Sequence, residues 1–258
     1  MLRILNNKKD VADPRDYKIS FTQVKITKAS IDLRNKFPPI FDQGNLGSCT
    51  ANAVCGNFQY NEMKQTNRYL TLSRLYLYYN TRKIQNTVAQ DSGASLRDTI
   101  KAAVQKGICR EVFCPYVVSD FAKTPPPICY TEGSQNKILT YAQPDRNSLE
   151  KSLINGFPVV FGFLVYSSFF NPSVTKTGVV PMPNTSKEKC QGGHAVSIVG
   201  FDSGKKLFIC RNSWGTSWGD KGYFYMPYAY ILNPSLSFDF WVILSVNNPS
   251  VQIIKPGR

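Results

Sequence analysis

The feature that most constrains the fold is a change of texture along the 258-residue chain: apolar positions recur first at helical spacing and later in strand-like runs. Ser48 precedes Ala51, Val54, Cys55 and Phe58, spaced i, i+3, i+4, i+7, which predicts a helix with one deeply buried face. A second helix is predicted from Ser73, carrying Leu75, Leu77, Tyr78 and Tyr79. A third starts at Ser95, where Asp98 completes a capping-box-like pattern; Leu96, Ile100, Ala103 and Val104 form its stripe and Gly107 ends it. Thr124-Pro125-Pro126-Pro127 reads as a rigid connector between lobes. After a short helix over 148–155, closed by Gly156, the predicted strands are 158–165, 195–201, 207–211, 222–226 and 241–246. Helices first and strands second predict an α+β fold of two unlike lobes. The expected organisation is an arm over 1–30, a helical lobe over 31–130 and a β-rich lobe over 131–258.

Histidine limits the chemistry more than any other residue type, because His194 is the only one in the chain. Three-His zinc hydrolases, HExxH proteases and paired-His pH switches are thereby excluded. A zinc site of Cys109, Cys114, Cys129, Cys190 and His194 is disfavoured, since Cys109 and Cys114 lack a partner knuckle; no metal or cofactor is expected. The start MLRILNNKKD has no apolar signal core, and the apolar run 158–165 is too short to span a bilayer. The seven cysteines are therefore read as thiols, with Cys109 and Cys114 near enough in sequence to pair under oxidation. Asn184-Thr185-Ser186 is a glycosylation sequon that matters only with export.

Lys and Arg outnumber Asp and Glu by 31 to 17, a net charge of +14, yet the positive residues are dispersed and no run exceeds Lys8-Lys9. This favours a solvated basic surface over a dedicated site for nucleic acid or another acidic partner.

Gly44 and Gly47 bracket a turn that delivers Cys49 to the first position of the Ser48 helix. Unpaired backbone N–H groups and the helix dipole there favour a thiolate. Cys55, on the apolar stripe, is read as core. Gly192-Gly193 before His194 leave room for a substrate backbone to approach.

Three segments resemble the papain-like cysteine proteases. Asp42-Gln43-Gly44-Asn45-Leu46-Gly47-Ser48-Cys49 is similar to their nucleophile segment, Gly192-Gly193-His194-Ala195-Val196 to the histidine segment, and Arg211-Asn212-Ser213-Trp214-Gly215, continued by 218–223, to the asparagine segment. They occur in the family's order, and the likeness runs from about Ile31 to Val246. The resemblance implies a two-lobed papain-like fold and an extended polypeptide substrate in the cleft. It assigns Cys49 as nucleophile, His194 as base and later acid, Asn212 as the residue orienting the ring, and Gln43 with the Cys49 N–H as oxyanion donors. Trp214 is expected to shield the Asn212–His194 hydrogen bond, with Trp218 as core. Gly93 resembles the glycine that pairs with substrate backbone, and Gly162, Gly192 and Gly193 lie near the pocket for the second residue before the scissile bond, which predicts room there for a large apolar side chain.

Two departures stand out: Leu46 occupies a place where most of the family has a disulfide-forming cysteine, and Thr50 stands where a tryptophan usually follows the nucleophile. They suggest a divergent branch like those of bacteria and large DNA viruses, working inside a cell or, if viral, in the virion. Residues 1–30 are expected to lie across or near the groove as a short regulatory arm, in place of a long prosegment. The expected activity is endopeptidase, since the exopeptidase type that clamps a C-terminal carboxylate needs two histidines. Two rival readings are an acyl transferase of transglutaminase type and a basic scaffold protein that kept the fold without the activity.

Overall fold

The structure is a computed structural model and describes residues 3–21 and 25–247. The three predicted helices form as α1 (Cys49–Thr66), α2 (Arg74–Ile84) and α3 (Leu96–Gln105). Ser73 Oγ accepts the Tyr76 N–H and Ser95 Oγ accepts the Asp98 N–H, each closing an open helix end. Gly107 turns the chain after α3 at φ +69°, a conformation that Cβ-bearing residues resist. The Asp98 carboxylate does not complete a capping box; it accepts from Gln85 Nε2 at 2.8 Å.

α1 differs from expectation in two ways. It is buried on every side over 49–62 rather than on one face, because it packs between the other helices and the sheet. Its Ser48 does not cap it: the hydroxyl turns to Tyr116. A further helix, α4 (Pro127–Gly133), begins at the last proline of the expected connector, where a missing N–H is harmless, and sends Cys129 into the helical core. α5 (Leu149–Ile154), α6 (Pro172–Thr177) and α7 (Tyr228–Ile231) are single turns or little more.

The strands are β1 (Lys18–Ile19), β2 (Ser30–Asp32), β3 (Ile138–Pro144), β4 (Val159–Tyr166), β5 (Cys190–Asp202), β6 (Leu207–Arg211), β7 (Tyr223–Pro227) and β8 (Ser237–Val246). Among the described residues they make one sheet in the order β1-β3-β8-β4-β5-β6-β7, with β2 on β5; every pairing is antiparallel except β1 with β3. The sequence pattern misses β3 because irregular register at Ile138–Thr140 and Thr140–Tyr141 breaks the alternation that marks a strand. One core gathers α1, α2 and α3 with Val160, Trp241 and Ile243 from the sheet; a second gathers Phe161, Phe163, Phe169, Trp214, Trp218 and Phe224; a small third joins Phe37, Tyr60, Val199 and Ile209. This is an α+β fold with a helical and a β-rich lobe, and α1 packs along β5 where they meet. Among the described residues no helix is long and apolar enough to cross a membrane.

Candidate active site

Cys49 is the first residue of α1, at the end of the 42–48 turn. Asp42 Oδ1 accepts the Gly44 N–H at 2.9 Å, and Gly44 holds φ +63°. Gln43 is buried beneath this turn: its Nε2 donates to Leu46 O at 2.9 Å and its Oε1 accepts from Ser213 Oγ at 2.6 Å. Ser48 Oγ meets Tyr116 OH at 2.5 Å, and Tyr116 OH donates to Gln43 O at 3.0 Å. Asn52 Nδ2 donates to both Ser48 O and Ser48 Oγ at 3.0 Å. Arg74 anchors the whole network, donating to Asn52 Oδ1 at 3.2 Å, pairing with Glu111 at 3.0 Å and lying 4.0 Å over the Tyr116 ring.

His194 enters from β5. Its Nε2 lies 2.8 Å from Asn212 Oδ1, which also accepts the Ser213 N–H at 2.9 Å and so is fixed as the oxygen. An amide oxygen only accepts, so Nε2 carries the proton and the basic lone pair is on Nδ1, buried and unpaired. The Trp214 ring stacks 4.9 Å from the imidazole and Phe163 meets it edge-on at 5.8 Å, with Trp218 and Phe169 packed behind Trp214. Cys49 and Ala195, the residue after His194, are buried in the same core, so the two halves of the chain meet here.

Residues 3–10 run through the groove between the lobes. Arg3 pairs with Asp42 at 2.6 Å and donates to Trp214 O at 3.1 Å. Asn6 Nδ2 donates to Asp91 O at 3.0 Å, Asn7 N to Gly193 O at 3.0 Å, and Lys8 N to Ala94 O at 2.9 Å. A methyl group added at Gly93, Gly192 or Gly193 would collide with the backbone of Asn6, Leu5 or Asn7 respectively, so these glycines are where a chain in the groove touches the wall. Beside Gly162 the space is filled by the Phe238 ring and the Asn7 amide, and both polar side-chain atoms of Asn7 are buried without partners. Further on, Asp10 accepts from Arg97 N at 3.1 Å and Trp241 Nε1 at 2.9 Å, its own N–H donates to Asp239 at 2.6 Å, and Arg97 pairs with Asp16 at 2.5 Å.

With the arm in place Cys49 and His194 have no exposed surface. Burial pushes the Cys49 thiol up to about 12 and the His194 imidazole down to about 4, so both are neutral at pH 7. The thiolate expected from the helix N-terminus is therefore not the form favoured here: desolvation outweighs the lowering effect of the nearby backbone N–H groups. Cys55 is likewise pushed up by burial, in keeping with a core thiol.

The sequence profile described as papain family cysteine protease matches residues 27–231. The chain belongs to this family. It is 42% identical over 227 residues to an uncharacterised peptidase C1-like protein of Acanthamoeba polyphaga mimivirus, covering 84% of this chain and 73% of that one. Xylellain, a cysteine protease from Xylella fastidiosa, superposes with a TM-score of 0.85 at 35% identity, covering 94% of this chain and 98% of its own. Chicken cathepsin K is 29% identical over 202 residues, 76% of this chain and 57% of that protein. As a papain-family protease, the chain is a peptidase with a polypeptide substrate.

Against the family pattern, Leu46 is buried and all seven cysteines are free. Thr50, in place of tryptophan, hydrogen-bonds Thr99 at 2.9 Å. The sequence did not single out Arg74, Tyr116, Asn52 or Asp91, because none stands at a telling spacing. Ser213, directly after Asn212, carried only its adjacency as a signal.

Proposed function

We propose that this protease is a cysteine-type endopeptidase whose groove is closed by its own N-terminal arm. The observation that carries the reading is the buried His194 Nε2–Asn212 Oδ1 hydrogen bond under Trp214, with Cys49 at the head of α1 on the facing lobe. Once the arm leaves, His194 Nδ1 accepts the Cys49 proton, and the sulfur adds to the scissile carbonyl carbon. The carbonyl oxygen becomes an oxyanion met by N–H groups of Cys49 and Gln43. The tetrahedral adduct collapses as Nδ1–H protonates the departing amine, leaving a thioester. Water, deprotonated by His194, attacks the thioester and releases the acid and the thiol. Asn212 keeps the Nε2 proton in place throughout.

Endopeptidase action is supported by the course of the arm, which passes from Arg3 beside Trp214 to Lys8 beside Ala94, so the groove takes chain on both sides of the nucleophile. The orphaned Asn7 amide against the Phe238 ring supports a preference for an apolar side chain at the subsite near Gly162, where that ring takes up part of the space the glycine leaves. A peptide library favouring Gly or Ala at that position would overturn this preference.

Deletion of residues 1–19 is expected to raise peptidase activity and the rate of Cys49 labelling by an epoxide. Labelling should outpace the other six thiols and vanish in His194→Ala. Equal labelling of all seven would favour the scaffold reading, and amide products formed only with added amine would favour acyl transfer.

A further inference from the structure

The turn that bears Cys49 has no cross-link, since Leu46 stands in it and every cysteine is free. It is nevertheless tied to the stretch of groove wall at Gly93. The Gly47 N–H lies 3.1 Å from Asp91 Oδ1 and 3.0 Å from Oδ2, Tyr78 OH donates to the same carboxylate, and the Tyr78 oxygen accepts the Gly93 N–H at 3.1 Å. Tyr78 is fully buried and Asp91 half-buried, so the bridge is partly shielded from water. Its far side is pinned by Arg82, also fully buried, which lies 4.1 Å over the Tyr78 ring and donates to Val88 O at 2.5 Å and Gln90 O at 3.1 Å, just before Asp91. The gap so defined is where the Asn6 side chain sits: a methyl group at either Gly47 or Gly93 would strike it.

Resting on the protease reading above, we propose that Asp91 is a positioning residue for peptide hydrolysis, setting the distance between the nucleophile turn and the Gly93 wall through Gly47 N–H and Tyr78. Its carboxylate is already engaged by two donors, the Gly47 N–H shared between both oxygens and the Tyr78 hydroxyl, so it acts on the site through them rather than by binding substrate. Gly47 is two residues before Cys49, and a shift there moves the Cys49 N–H away from the position an oxyanion needs. The loss from breaking the tie therefore falls on kcat.

The test compares Asp91→Asn, Tyr78→Phe and the double variant in the full chain, with kcat and KM measured on one peptide substrate. Asp91→Asn should lower kcat on the order of tenfold to a hundredfold, with KM unchanged or lower, as displacements of about 1 Å do elsewhere. Tyr78→Phe should show a smaller loss, and the double variant should be no worse than Asp91→Asn, because both break one bridge. Wild-type kcat in Asp91→Asn, a loss carried by KM, or additive losses would overturn the proposal. If the full chain hydrolyses no peptide while the chain lacking residues 1–19 does, the arm has held the groove shut and the comparison is made in the shortened chain; hydrolysis by neither form means that the protease reading has failed and takes this proposal with it.

Discussion

Around Cys49 the supporting contacts are polar, running from Ser48 through Tyr116 and Asn52 to the Arg74–Glu111 pair, whereas around His194 they are aromatic, a stack of Trp214, Phe163, Phe169 and Trp218. The difference follows from what each side must hold. A turn carrying Gln43 and Cys49 has backbone groups that need partners, and hydrogen bonds fix their direction. The imidazole already has its one directional partner in Asn212, so its further need is a wall that keeps water from that bond. The helical half of the site should therefore fail through lost hydrogen bonds and charge, and the β half through lost volume.

The largest effect is expected on the aromatic side. Trp214→Ala removes a fully buried ring and should cost about 3–5 kcal/mol of stability in urea unfolding, with kcat falling as water reaches the His194–Asn212 bond. Trp214→Phe should recover most of both. Next is the polar side: Arg74→Met leaves Asn52 Oδ1 and the partly buried Glu111 without their cation and should cost about 2 kcal/mol. Unlike Trp214→Ala, it should lose kcat through the Gln43 turn while the His194 titration is unmoved, which NMR of the single histidine can read.

The smallest effect concerns the two ends of the arm. Burial, then the charge of Asp10, pushes Asp239 up to about 7, and burial also raises Asp10; Arg97, Lys9 and Asp16 are the other charges around them. Freed of the arm, Asp239 should return toward the usual carboxylate range near 4. The docked arm thus keeps a proton on Asp239 that the open form releases, so this group favours docking fully below about pH 4 and progressively less up to about pH 7. His194 acts with the opposite sign: its pKa is lowered to about 4 under the arm, so its contribution is present above the ordinary histidine range and is lost as pH falls toward 4. Asp239→Asn isolates the first of these. Its arm should dock more tightly than the wild type above pH 7, the gap closing toward pH 4, as read by hydrogen exchange of the Asn7 and Lys8 amides at matched pH. A gap that does not change with pH would remove Asp239 from the account.

Much of this was legible in the sequence because it is local. Ser73 and Ser95 cap their helices, Gly107 turns after the third, and the strands over β4–β8 carry long apolar runs. What escaped was set by distant partners. Ser48 has the look of a cap, but Tyr116, 68 residues away, takes its hydroxyl. β3 is a strand because β8 pairs with it across bulges, and α4 forms where three prolines suggested only a connector.

Residue order alone was enough for the succession of helix and strand, for one thiol at a helix head, and for a single imidazole with an asparagine 18 residues on to hold it. An arm near the groove was expected as well; that it lies along the groove by backbone hydrogen bonds, with thiol and imidazole neutral beneath it, emerges only in the folded chain. Ionisation depends on the water a folded chain excludes, and the arm that helps exclude it here lies about forty positions from the sulfur in sequence.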